Sequence, residues 1–211
     1  MLFRSWMMGV RADITPQAAR IDAHSLRREG PTRLCYAGQV LYTRPRNPLE
    51  SRCPIQLGAE LFGEAGLEAD LEVIALLVET LRHAGLDRIQ LDLGHVGIYR
   101  GLERELSLDA ERKHELFELL QHKDASLGSW VAREVTDRRL AGMLGALPDL
   151  CGGIETLERA RTVFADAPAA VCDALDQLRQ VVESLRRQLP ELELFLDLGE
   201  LRGYHYHTGI V

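Results

Sequence analysis

Gln56, Gly58 and Glu60 stand at alternate positions in the stretch PIQLGAELF, and their types mark the place where chemistry would sit. Side chains alternate faces along a strand, so these three share one face while Leu57, Ala59 and Leu61 share the other. The first face offers an amide, a gap where glycine permits close approach, and a carboxylate. The leucine face is expected in a core. A solvated strand face would also be polar, though more often through Lys, Thr or Ser, so a ligand-facing surface and a solvated one both stay open here.

Other residues of the right type lie elsewhere. Arg202 precedes Gly203 in a run of rings, Tyr204-His205-Tyr206-His207. A guanidinium there would hold a carboxylate by a charge-assisted pair, worth about 1.5–3 kcal/mol if desolvated. His205 and His207 would share a face if this run were a strand. No third ligand has recognisable spacing, so no metal site is expected. Arg44 and Arg46 lie in the loop RPRNPLESR, where restrained arginines would grip phosphate by bidentate bonds; a solvated surface loop has the same composition. His95 follows Gly94 at a helix entry, where a structural role is the better expectation.

The elements that must position these residues are legible in outline. Strands are expected at about Leu34 to Thr43 and Pro54 to Phe62, with the basic loop between them. Thr15 and Pro16 open a helix through Leu26, with Thr15 as its cap. Residues Asp70 to Ala84 carry a helical apolar pattern ended by Gly85, and Arg88 to Gly94 alternates as a strand. From Val96 to Leu189 the pattern is nearly all helical, with a loop at Leu147 to Gly153. Its last helix, Ala169 to Leu189, sets Val171, Leu175, Leu178, Val182, Leu185 and Leu189 in one stripe suited to a neighbouring helix. Glu193 to Leu198 returns to strand.

The chain has 211 residues, 46% apolar and 27% charged, which suits one domain, or one domain with an insertion, and a large core. A net charge of -7 speaks against a dedicated nucleic-acid binder, because phosphate neutralisation needs a basic surface. Cys35, Cys53, Cys151 and Cys172 have no metal-ligand spacing and are expected as reduced, mostly buried thiols in a cytoplasmic protein. The opening MLFRSWMMG is too short and broken for a signal peptide or a membrane span.

Four blocks in order carry a resemblance: VRADITPQAARIDAH (Val10 to His24), the hairpin from Arg33 to Gly63, LDLGHVGIYRGL (Leu91 to Leu102) and DLGELRGYHYHTGIV (Asp197 to Val211). The hairpin resembles motif 2 of class II aminoacyl-tRNA synthetases in its histidyl form. The four together are similar to the ATP phosphoribosyltransferase regulatory subunit family, paralogues of histidyl-tRNA synthetase. The resemblance implies an α+β fold: a class II synthetase-like antiparallel sheet flanked by helices, with a helical insertion. It divides the chain into a first part of the core (1–100), the insertion (101–190) and a return to the core sheet in the histidine-binding block (191–211). It also implies a fragment, truncated at both ends.

By this resemblance the protein is non-catalytic and needs no cofactor. It would activate the short-form catalytic subunit of ATP phosphoribosyltransferase as a hetero-oligomer, self-associate, and mediate feedback inhibition by histidine. The implied histidine-binding residues are Asp13, Thr15, Gln56, Glu60, Arg202 and Tyr206. Gln56 and Glu60 would take the imidazole and α-amino ends, Asp13 and Thr15 support the amino group, Arg202 takes the carboxylate and Tyr206 the ring. The alternative is a fragment of an active histidyl-tRNA synthetase. Against that stands Tyr42, which aligns with the synthetase arginine that binds the ATP α-phosphate; a neutral phenol cannot replace a guanidinium clamp. His205 and His207 also replace an aspartate and a tyrosine of the synthetase pattern, and tRNA binding is not expected.

Overall fold

A computed structural model describes residues 9–45, 47 and 49–211. The chain forms two compact units, one reaching Leu76 and the other running from Leu77 to Val211.

In the first unit, α1 (Thr15–Ile21) runs on into a π-helical turn (Asp22–Leu26). That turn ends at Arg27 in the left-handed region. Strands β1 (Thr32–Gln39) and β2 (Ile55–Phe62) pair antiparallel, with Tyr36 opposite Gly58 and Gly38 opposite Gln56. Helix α2 (Leu67–His83) begins in this unit, and the Arg33 guanidinium of β1 forks onto its Glu72. The hairpin strands have the expected alternation, but the leucine face is not a core face. Leu57 is 66% exposed and Ile55 73% exposed, whereas Gln56, Gly58 and Glu60 on the other face are half-buried. The reason is local: α1 and the Tyr36 ring lie over the polar face, whereas among the described residues the cover on the other face reaches Ala59 and Leu61, which are half-buried, and leaves Ile55 and Leu57 open.

The second unit is built on α3 (Val96–Arg104) and α8 (Ala169–Gln188). Val96, Ile98, Tyr99 and Leu102 of α3 are essentially fully buried, as are Leu178, Val181, Val182 and Leu185 of α8. Each such aliphatic side chain contributes about 1.5–3 kcal/mol of transfer free energy. The two helices approach on a glycine face: a Cβ added at Gly101 would lie 2.6 Å from Val171 Cγ2, and one at Gly97 3.2 Å from Ala174 Cβ. Here the expected stripe of α8 finds its partner helix. Around this pair stand α4 (Ala110–Gln121), α5 (Leu127–Glu134), α6 (Arg138–Ala146) and α7 (Thr156–Val163). Asp109 and Asp137 cap α4 and α6 by accepting backbone N–H groups.

Helix α4 ends in a Schellman pattern, with Asp124 N–H on the Leu119 carbonyl and Lys123 N–H on that of Leu120. Lys123 takes the left-handed position at φ 47°, where glycine is usual. Its ammonium donates to Asp197 Oδ2 at 2.6 Å.

The sheet of this unit has the order β3-β5-β4, from β3 (Gln90–Leu93), β5 (Glu193–Asp197) and β4 (Cys151–Gly152). β4 and β5 run antiparallel, while β3 and β5 run parallel, as a long helical connection allows. The expected loop at Leu147 to Gly153 therefore includes a short strand. The cysteines are free thiols, but Cys35, Cys53 and Cys172 are exposed and Cys151 is half-buried, so they are not the mostly buried thiols expected. Among the described residues, no helix is long and apolar enough to cross a membrane.

Candidate functional site

Two groups of polar side chains stand where the sequence pointed, one in each unit. In the first unit, the polar face of β2 meets the start of α1. Gln56 Oε1 accepts the Ile14 N–H at 2.9 Å, and its Nε2 donates to Asp13 Oδ1 at 2.8 Å. The same Asp13 oxygen accepts the Thr15 N–H at 3.0 Å. The Thr15 hydroxyl donates to Glu60 Oε1 at 2.7 Å, and the Tyr36 hydroxyl lies 3.0 Å from Thr15 Oγ1 and 3.3 Å from Glu60 Oε1. The hydrogen bonds from Gln56 and from the Thr15 backbone hold the Asp13 carboxyl below its ordinary value. Asp13, Thr15, Gln56 and Glu60 thus form one network.

Each carboxylate uses a single oxygen in these bonds. Thr15 is not the helix cap. It is the first residue of α1, Ile14 holds the cap position without a side-chain bond, and the hydroxyl goes to Glu60 instead.

Sequence reasoning missed Tyr36. Its ring crosses the strand at Gly58, where a Cβ would lie 2.4 Å from the ring. The signal for it is the cross-strand register, which places an aromatic ring opposite a glycine. Arg11 makes a similar crossing: its Nε donates to the Gln39 carbonyl at 2.8 Å, and its guanidinium covers Gly38.

In the second unit, Arg202 and Tyr206 line a cavity of about 460 Å³ at the ends of β3 and β5, with Asp92, Asp197 and Glu200. Gly94 makes this end compact, since a Cβ there would lie 2.7 Å from the Asp197 carbonyl. Three carboxylates around one guanidinium favour a ligand with a cationic group as well as a carboxylate. Burial works to raise the Glu200 carboxyl, but the hydrogen bonds and charge of Arg202 outweigh it and the net shift is downward. For Lys123, burial lowers the ammonium, yet Asp197 more than compensates and the net shift is upward. Asp92, Asp197, Glu200 and Lys123 were not singled out by sequence reasoning; their separation along the chain hides the grouping.

Residues 202–206 form turns rather than a strand, so His205 and His207 do not share a strand face. His205 packs on Phe117 and Tyr204, and His207 on Tyr206. Among the described residues no group of three metal-ligating side chains is placed to hold an ion. His95 is structural: Nδ1 accepts the Gly97 N–H and caps α3, so Nε2 carries the proton to Gln177 Oε1 at 3.0 Å. Arg44 is exposed in the hairpin connection, and Arg46 lies outside the described residues.

The histidyl-tRNA synthetase family model matches residues 4–211. The chain is 55% identical over 205 residues to an ATP phosphoribosyltransferase regulatory subunit from Saccharophagus degradans, covering 97% of this chain and 52% of that protein. It is 54% identical over 204 residues to one from Stutzerimonas stutzeri, covering 97% and 51%. The chain thus spans about half the length of the curated relatives it matches.

Among solved structures, an ATP phosphoribosyltransferase regulatory subunit/histidyl-tRNA synthetase from Bacillus halodurans superposes with a TM-score of 0.82 at 29% identity, covering 95% of this chain and 52% of that one. An ATP phosphoribosyl transferase (HisG:HisZ) complex from Thermotoga maritima contains a chain with the same fold, at a TM-score of 0.72 and 19% identity, covering 96% and 69%. The α+β, class II synthetase-like architecture is shared with these structures.

Proposed function

The chain belongs to the histidyl-tRNA synthetase family, and from that premise we propose that it forms part of a non-catalytic regulatory subunit of ATP phosphoribosyltransferase. In this reading it activates a short-form catalytic subunit in the first step of histidine biosynthesis and makes that step sensitive to histidine. The partner is the catalytic subunit, the effector is histidine, self-association accompanies assembly, and the protein works in the cytoplasm. The proposed division remains a synthetase-like core over 1–100 and 191–211, with a helical insertion over 101–190.

The observation that carries the reading is the polar network on the β2 face. Asp13, Thr15, Gln56 and Glu60 are joined by hydrogen bonds, as a site for an imidazole and an amino group requires. By the resemblance, Tyr42 aligns with the synthetase arginine that would hold the ATP α-phosphate. Identity of 55% with a protein named as the regulatory subunit supports the same choice. Arg202 would take the effector's carboxylate and Tyr206 its ring. Arg44 and Arg46 are proposed phosphate contacts only.

Histidine must bind the inhibited assembly better than the active one, and couplings of this kind are about 1–3 kcal/mol. The second reading, an active synthetase, would share the histidine site and differ in adenylate chemistry. The test is therefore made on the full-length protein. Histidine binding in a calorimeter, with no histidine-dependent exchange of pyrophosphate into ATP, is the expected result. Robust exchange would give the chain to the synthetases.

A further inference from the structure

Arg202 and Tyr206 are 80% and 78% exposed; Arg202 is paired with Glu200, and Tyr206 packs on His207. Between them stands Tyr204, a half-buried ring held from α3 and α4. Its hydroxyl donates to Glu103 of α3, and its carbonyl accepts from Arg100 Nη2, one turn earlier on the same helix. The Arg100 guanidinium also lies 4.8 Å from the Tyr204 ring centroid. Tyr99 packs edge-on to that ring at 5.4 Å, and Phe117 of α4 packs tilted against it at 5.2 Å. Around Tyr204 the chain closes on itself through Tyr204 N–H to the Leu201 carbonyl and Tyr206 and His207 N–H to that of Gly203. Gly203, at φ 72°, lets the His207 ring fold over it.

Helix α3 is a rigid platform, since Val96, Ile98, Tyr99 and Leu102 are fully enclosed. The backbone that carries these two exposed side chains is therefore anchored at the residue midway between them, gripped from helical positions 99, 100 and 103. We propose that Glu103 and Arg100 act through Tyr204 as positioning residues that set the affinity of the Arg202–Tyr206 block for histidine. The proposal rests on the reading of Arg202 and Tyr206 as histidine contacts. Removing the hydroxyl alone leaves the Tyr204 ring packed on Tyr99 and Phe117, so loss of the hydroxyl bond should appear in ligand affinity more than in global stability.

The experiment measures histidine binding by calorimetry to the full-length protein in complex with its catalytic subunit, with melting temperatures recorded alongside. Tyr204→Phe keeps the ring and removes one hydrogen bond. It and Glu103→Ala should each weaken binding about tenfold. Glu103→Gln keeps an acceptor and should bind nearly as the parent does. The double variant Tyr204→Phe/Glu103→Ala should be no weaker than either single, because one bond is lost in all three.

Parent-like binding by Tyr204→Phe and Glu103→Ala, with Arg202→Ala weakened, would overturn the positioning role and leave the histidine reading intact. Affinity losses that only track falling melting temperatures, with Glu103→Gln no better than Glu103→Ala, would also overturn it. Parent-like binding by Arg202→Ala would remove the reading on which the proposal rests, and the proposal with it.

Discussion

Arg202 and Glu200 form a forked ion pair: guanidinium Nε and Nη2 donate to Glu200 Oε2 at 2.8 and 2.7 Å, and Oε1 accepts the Arg202 backbone N–H at 2.6 Å. The donors that would take an effector's carboxylate are thus engaged by a carboxylate of the same chain. An incoming ligand has to compete with Glu200 for them. Exposed pairs are worth about 0.2–1 kcal/mol, so Glu200→Gln should tighten histidine binding by up to about fivefold. Titration calorimetry on the full-length protein reads this directly. Weaker binding would mean that Glu200 presents Arg202 to the ligand rather than competing for it.

Gly58 and Gly38 face each other's strands but differ in what covers them. A Cβ at Gly58 would meet the Tyr36 ring at 2.4 Å, whereas one at Gly38 would meet the mobile end of Arg11 at 2.6 Å. Gly58→Ala should therefore displace Tyr36 from Thr15 and Glu60 and cost about 1–3 kcal/mol of stability. Gly38→Ala should cost much less. Urea midpoints of the two variants test the contrast, and equal losses would contradict the placement of Tyr36.

Asp13 titrates below its ordinary 3.8 because Gln56 and the Thr15 backbone bond to its ionised form. A carboxyl with a depressed folded value stabilises the fold above its unfolded value, and that contribution is lost as pH falls through the folded value. Asp13→Asn should therefore be less stable than the parent at neutral pH, with the gap closing under strong acid. Denaturation midpoints across the acid range measure it. A gap that widens toward acid would show that the ionised form is not the one preferred.

Part of this arrangement was legible in the residues alone. The polar face of β2 could be read from Gln56, Gly58 and Glu60, because strand alternation is local. The stripe of α8 was equally plain, since its period is a property of one helix. What could not be read depends on coverage. Nothing in Ile55 or Leu57 says that their face is open and the polar one covered. Tyr36 required the register that sets it against Gly58. The cavity around Arg202 joins Asp92 to Asp197 and Glu200 across more than a hundred residues, through a parallel β3–β5 pair that no local pattern announces. Local alternation made the Tyr204–His207 run look like a strand, whereas Gly203 at positive φ and the contacts of Tyr204 with α3 hold it in turns.

The most direct test of the regulatory role is phosphoribosyl-ATP formation by a short-form catalytic subunit, with and without the full-length protein, over a histidine titration. The account predicts little activity from the catalytic subunit alone, activation on adding the protein, and loss of that activity as histidine rises. Arg202→Ala should shift the inhibition to higher histidine. Absence of activation, or activation wholly indifferent to histidine, would contradict it.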